Sequence, residues 1–245
     1  LKVISNCAVG YDNIDIAEAT KRGIPVGNTP GVLSETTADF AFALLVAAAR
    51  RVAEADKYTR SGLWQVAWEP MLLLGQDIHH STLGIVGLGR IGTEVARRAK
   101  GFQMHVLYHN RTRREDVERE LGVEYVATLS ELLSRSDFVS LHVPFTEDTK
   151  GMIGPIEFST MKPTSILVNT SRGQVVDQKA LYKALKSGQI AAAAIDVTEV
   201  EPIPMDDPLL TLENIIIAPH MASASTATRT KIAIMAAANL IAGLQ

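Results

Sequence analysis

The sequence is short of cysteine, of long apolar runs and of excess charge, and each shortage narrows what the chain can be. Cys7 is the only cysteine among 245 residues, so no disulfide can close within the chain and a zinc site built on cysteines is excluded; no metal is expected. Against 27 Asp and Glu stand 24 Lys and Arg, a net charge of −3 that offers no basic footprint for nucleic acid or a membrane surface. No apolar run reaches the length of a membrane span and no basic-then-apolar leader is visible, so a reducing cytoplasm is the expected setting. Low-complexity tracts and internal repeats are also missing. What is plentiful is apolar: 47% hydrophobic residues over this length can bury a full core in one large domain, or one and a half.

One stretch organises the rest. Gly84-Ile85-Val86-Gly87-Leu88-Gly89-Arg90-Ile91-Gly92 follows Thr82-Leu83 as a buried strand and leads into Thr93 to Ala99, whose apolar residues fall at helical spacing. Gly87, Gly89 and Gly92 match G-x-G-x-x-G between a strand and a helix. The first glycine allows the tight turn, the second lets backbone approach a pyrophosphate, and the third lets helix pack on strand. The helix start then offers N–H groups and a positive dipole end to phosphates. A dinucleotide is the expected ligand, with Arg90 and Ile91 inside the turn.

A second shortage selects between dinucleotides. NAD sites place an Asp or Glu at the end of the next strand, where it accepts from the ribose hydroxyls. That strand reads as Gln103 to Tyr108, and no carboxylate occurs between Val95 and Arg114. In its place stand Asn110, Arg111, Thr112, Arg113 and Arg114, a set suited to a 2′-phosphate because guanidinium forks make charge-assisted bonds to it. One such bond, at about 1.5–3 kcal/mol, gives roughly ten- to hundredfold preference. NADPH is therefore expected over NADH; a solvated basic turn before the acidic helix Glu115–Glu120 is the plainer reading.

Ahead of this segment, Leu1–Ser5 and Ile24–Val26 read as strands, and a short helix from Ile14 to Arg22 is closed by Gly23. A helix from Thr36 to about Tyr58, with Ser34 as N-cap, begins apolar nearly all round. An arm bearing Trp64 and Trp68 follows, with the tryptophans expected as packing anchors in a homodimer contact. From Thr82 strands and helices alternate: Glu124–Val126, Leu129–Arg135, Asp137–Val143, a helix near Glu157–Met161, Ile166–Asn169, a helix from Gln178 to Ser187 capped by Asp177, Ala191–Val197, Asn214–Ala218 and a last helix from Thr226 to Leu244. Apolar strands alternating with helices define an α/β fold, a doubly wound parallel sheet of Rossmann type. The expected divisions are residues 1–30 as part of a substrate domain, 31–81 as linking helix and dimerisation arm, 82–222 as the dinucleotide-binding domain, and 223–245 as a helix returning to the substrate domain. Because residue 1 already lies in a strand, the sequence is expected to begin within a domain.

In such sheets ligands lie beyond the carboxyl ends of the strands. Arg172, Glu201 and His220 each follow a strand, so all three can meet at one crevice. Arg can bind a carboxylate and polarise a carbonyl, His can donate a proton near neutrality, and a carboxylate behind it favours the protonated ring. Each also has an ordinary reading, as an ion pair, a loop charge and a capped core histidine.

These words resemble the D-isomer-specific 2-hydroxyacid dehydrogenases, and within them the glyoxylate/hydroxypyruvate reductases. The matching stretches are Val9–Asp12, Glu35–Asp39, Leu83–Gly92, Leu141–Pro144, Met161–Pro163, Asn169–Gly173, Asp196–Pro202 and Pro219–His220. The resemblance implies a flavodoxin-like substrate domain, present in part, beside the Rossmann-type domain. It implies a small 2-keto acid as substrate, with Arg172 binding and polarising it, His220 as proton donor and Glu201 as its partner. Val9 and Gly10 would hold the substrate carboxylate by backbone, with Ser223 nearby, while Thr37, Pro144, Thr170 and Asp196 would serve the cofactor. An NAD-dependent phosphoglycerate-type dehydrogenase is an alternative that the missing strand-end acid disfavours. A non-catalytic nucleotide sensor is a second, disfavoured because it would need only Gly87 to Arg114.

Overall fold

Strands and helices alternate from Thr82 onward as the apolar pattern requires. The computed structural model describes residues 1–245, beginning with β1 (Ile4–Ser5), α1 (Ile16–Lys21), β2 (Val26–Gly27), α2 (Ser34–Ala49) and α3 (Val52–Arg60). Then come β3 (Thr82–Val86), α4 (Arg90–Ala99), β4 (His105–His109), α5 (Glu115–Leu121), β5 (Glu124–Tyr125), α6 (Leu129–Arg135) and β6 (Phe138–Leu141). The last elements are α7 (Pro155–Thr160), β7 (Ile166–Asn169), α8 (Gln178–Lys186), β8 (Ala192–Ile195), β9 (Ile215–Ile217) and α9 (Thr226–Ala242). The chain forms two compact units, Leu1–Thr37 with Ala222–Gln245, and Ala38–Met221.

In the smaller unit β1 and β2 pair in parallel, Ile4 opposite Val26. The helix α9 lies directly on them: Ser5 Oγ donates to the Ala236 carbonyl at 2.6 Å and Asn239 Nδ2 to the Asn28 carbonyl at 2.8 Å. A Cβ on Gly27 would sit 2.9 Å from Asn239 Cβ, so only glycine admits this approach. Asp15 caps α1 and Ser225 caps α9, each side chain accepting from an N–H three residues on.

The larger unit is a seven-stranded parallel sheet in the order β5-β4-β3-β6-β7-β8-β9. Its strands are buried on both faces, and their residues alternate between two cores as a period of two demands. Leu83, Ile85, Val106, Tyr108, Phe138 and Val168 face the core that includes Phe42 and Leu45 of α2. Val86, Leu107, Val139, Leu141, Leu167 and Ile195 face the other, against Leu132, Phe158 and Leu181. The chain starts at β3 and winds outward in both directions, so the strand order reverses between β3 and β6. That reversal is where a doubly wound sheet opens its ligand crevice.

Two expectations are corrected. The helix read from Thr36 to Tyr58 is two helices, broken where Arg51 takes a left-handed φ of 53°. The Ala49 carbonyl, which a continuing helix would use for residue 53, instead accepts the Gln76 N–H at 2.8 Å, and Arg51 pairs with Glu54 at 2.7 Å. Trp64 and Trp68 are 56% and 77% exposed, with Leu63, Val66 and Met71 exposed beside them. The strand expected from Gln103 starts two residues later, since Gln103 also takes a left-handed φ, 55°. No helix is long and apolar enough to cross a membrane.

Candidate active site

The three glycines after β3 meet three different demands. Gly87 has a φ of 98°, and a Cβ there would lie 2.8 Å from the backbone of His142 at the end of β6. A Cβ on Gly92 would run into the Gly87 carbonyl oxygen, so α4 can approach the strand only through glycine. Gly89 differs: its φ is −81° and a Cβ would meet no protein atom within 4 Å. Nothing in the protein requires glycine at that position. What a side chain would obstruct there is a ligand approaching the first N–H groups of the ten-residue α4, at Arg90 and Ile91, which have no partner within the helix.

The turn after β4 is stitched to this glycine turn. Asn110 Oδ1 accepts the Leu88 N–H at 2.8 Å and Arg114 Nη1 donates to the Leu88 carbonyl at 3.1 Å. The three arginines have different fates. Arg113 forks onto Glu118 at 2.8 and 2.7 Å, with its guanidinium 5.5 Å from the Tyr125 ring centroid. Arg114 forks onto Asp116 at 3.0 and 2.8 Å. Arg111, exposed like Thr112, makes no ion pair. Under the turn, the buried Tyr108 hydroxyl donates to Glu118 at 2.5 Å and accepts the Arg114 N–H at 2.8 Å; burial and the Glu118 carboxylate push the phenol up to about 12. The Arg113 bond holds Glu118 down near 2 and the Arg114 bond holds Asp116 down near 2.

Register carries the catalytic candidates to one edge. Leu141 lies opposite Asn169 and Asn169 opposite Ile195, which in turn lies opposite Ile217. The loops bearing Arg172, Glu201 and His220 therefore leave the sheet side by side, on the same edge as Gly87. Backbone contact joins the first two loops: a Cβ on Gly173 would collide with the Thr198 carbonyl. His220 Nδ1 lies 2.7 Å from Glu201 Oε2, and Glu201 Oε1 accepts the Thr198 N–H at 3.1 Å. The His220 side chain is 52% exposed, which rules out the core-histidine reading. The carboxylate takes Nδ1 and leaves Nε2 as the ring's outward nitrogen. Arg172 Nη1 donates to the Ser171 carbonyl at 2.9 Å.

Pattern reading gave no role to Asn169 or His142, which shape this edge beside the expected Thr170 and Pro144. Asn169, buried at the end of β7, accepts from Ser171 N–H and Oγ at 3.0 and 2.8 Å and donates to the Arg172 carbonyl at 2.9 Å. Its signal was available as an Asn followed by Thr-Ser after an apolar strand, the sequence of an Asx turn. The partly buried His142 ring lies beside Ser140 Oγ, at 2.8 Å, and burial pushes it down to about 4. Thr170 Oγ1 is buried without any hydrogen-bond partner, which is expensive unless a ligand supplies one. Pro144 is exposed at the same edge. Together the open face of Gly89, the α4 N-terminus and the orphaned Thr170 hydroxyl fit a dinucleotide.

Of the remaining candidates, Val9, Gly10, Thr37 and Ser223 belong to the smaller unit. The Val9 and Gly10 carbonyls accept from Asn28 and Asn6 at 2.9 and 2.7 Å, whereas their N–H groups donate to no protein atom. Thr37 is buried in α2, and Ser223 is half-buried ahead of α9.

A doubly wound parallel sheet with this glycine turn at its switch point is the nucleotide-binding unit of a nicotinamide-dependent oxidoreductase. Residues 42–222 match the family model of the D-isomer specific 2-hydroxyacid dehydrogenase NAD binding domain, and the chain belongs to that family. It is 68% identical over 242 residues to a glyoxylate reductase of Korarchaeum cryptofilum, covering 99% of this chain and 73% of that protein. Among solved structures, a Thermus thermophilus protein superposes with a TM-score of 0.93 at 48% identity, covering 100% of this chain and 76% of the other. An NADPH-dependent glyoxylate/hydroxypyruvate reductase from Sinorhizobium meliloti, in complex with NADP and malonate, gives a TM-score of 0.91 at 38% identity, covering 100% and 75%.

Proposed function

We propose that the protein reduces a small 2-keto acid, glyoxylate or hydroxypyruvate, to the 2-hydroxy acid with NADPH as reductant. The observation that carries this reading is the 2.7 Å bond from Glu201 to His220 Nδ1, on the edge shared with Arg172 and the glycine turn. The His220 Nε2 is left to give a proton to the keto oxygen, and Glu201 orients the ring. Arg172 binds the substrate carboxylate and polarises the carbonyl, favouring the charge that develops on oxygen. The N–H groups of Gly89 to Ile91, with Thr170 and Asp196, would hold the dinucleotide, which when bound supplies the hydride. The names of the Korarchaeum and Sinorhizobium relatives support this substrate class.

The preference for NADPH rests on Arg111 and Thr112, which face solvent where a strand-end acid would stand in an NAD site. Arg113 and Arg114 are already committed to carboxylates, so the preference expected from three arginines rests on one. The exposed arm with Trp64, Trp68 and Met71 supports a homodimer, which sedimentation would test: an active monomer excludes it. Steady-state rates with each keto acid, in wild type and in His220→Ala, test the main reading.

A further inference from the structure

Both backbone polar groups of one residue in the glycine turn, Leu88, are gripped by the turn that follows β4. Leu88 stands between Gly87 and Gly89, so the orientation of the two peptides that flank it sets where Gly89 and the first N–H groups of α4 point. Its N–H is held by Asn110 and its carbonyl by Arg114 Nη1. Arg114 is in turn fixed on three other atoms: Nε and Nη2 span the two oxygens of Asp116, and its own backbone N–H is held by the buried Tyr108 hydroxyl. With that fork occupied, Nη1 is directed back at Leu88, which is itself fully buried. A carbonyl in that position cannot turn to water if its donor is removed; the turn must shift to satisfy it.

We infer that Arg114, with Asn110, is a positioning residue for the pyrophosphate cradle and not a ligand of the 2′-phosphate. Its place in the basic turn suggests cofactor selection, but its bonds are those of a brace between the two turns. The pyrophosphate is common to NADPH and NADH, and the 2′-phosphate belongs to NADPH alone. Loss of the brace therefore weakens both cofactors by the same factor, whereas loss of Arg111 weakens one. The inference rests on the proposed dinucleotide site, and it is independent of whether Arg111 selects NADPH.

The test is calorimetric titration of the whole chain with NADPH and with NADH. Removing Arg114 alone would leave the Asp116 charge behind, which repels the more anionic NADPH more, so the variant is the charge-balanced Arg114→Ala/Asp116→Ala. Its dissociation constants are expected to rise roughly tenfold for both cofactors, with their ratio held within about twofold. Asn110→Ala, which changes no charge, is expected to show the same parallel loss and carries the test if the double variant does not fold. Weakening of NADPH alone makes Arg114 a phosphate ligand and overturns the inference; so does binding of both cofactors at wild-type strength. A wild type that binds neither cofactor overturns the dinucleotide reading and this inference with it. An Arg111→Ala variant that keeps the wild-type ratio overturns only the phosphate reading and leaves the Arg114 result standing.

Discussion

Asp196 holds His220 by both ends of its peptide geometry: the Asp196 carbonyl accepts the His220 N–H at 2.9 Å, and its carboxylate accepts the Met221 N–H at 2.7 Å. Between these two bonds His220 takes a left-handed φ of 52°, a conformation that histidine adopts more readily than most side chains. The Asp196 N–H is in turn held by the Asn169 carbonyl at 2.9 Å, so the loops after β7, β8 and β9 form one stitched edge. The histidine is aimed by backbone as much as by Glu201.

Removing either member of the pair separates chemistry from binding. His220→Ala is expected to lower kcat by about 10²- to 10⁴-fold while cofactor binding stays close to wild type. Glu201→Gln keeps an acceptor for the ring and loses the charge, so a smaller fall in kcat, about tenfold or more, is expected. Steady-state kinetics with cofactor titration distinguish these outcomes; a variant that loses binding and kcat together would make the pair structural.

The glycines can be told apart by stability and affinity. Gly89→Ala should fold with an unfolding midpoint near that of wild type, because the new Cβ meets no protein atom, yet bind the dinucleotide at least about tenfold more weakly. Gly92→Ala should lose roughly 1–3 kcal/mol of stability, because its Cβ runs into the Gly87 carbonyl. Urea denaturation beside cofactor titration checks both; equal behaviour of the two variants would contradict the assignment.

Much of this was legible in the sequence, and the misses share a cause. The expected bounds of α6, Leu129–Arg135, and of the apolar strand β7, Ile166–Asn169, match the structure, because their signals are local. The break at Arg51 and the fates of Arg113 and Arg114 were not legible. Each depends on a partner brought up by folding: Gln76 on the Ala49 carbonyl, Glu118 and Asp116 on the guanidiniums. Arg172, Glu201 and His220 could be named because each follows an apolar strand; that Gly173 and Thr198 touch, bringing two of their loops together, could not.

His142 makes stability depend on pH. Its folded value, about 4, lies below the ordinary 6.5, so the unfolded chain takes up the proton first and stability falls as pH drops from 6.5 toward 4. At pH 5 the loss relative to pH 7 is at most about 2 kcal/mol. The contributions of Asp116 and Glu118, held near 2, persist above the ordinary carboxylate range and fade only below it, so they leave this window clear. Urea denaturation at the two pH values is expected to show this slope in wild type and not in His142→Asn; equal slopes would contradict it.

Tyr108→Phe removes one hydroxyl and leaves the Arg114 N–H without its acceptor. The expected cost is about 1–3 kcal/mol by urea denaturation, since the ring is fully buried. A neutral result would show that water or another group replaces the bond.

The most direct test of the central claim is the initial rate of NADPH and of NADH oxidation with glyoxylate and with hydroxypyruvate, in wild type and in His220→Ala. The expected result is turnover of both keto acids, at least about tenfold faster at low cofactor with NADPH, and a fall of about 10²-fold or more in the variant. Unchanged turnover in the variant, or binding of cofactor with no oxidation of it by either acid, would contradict the account.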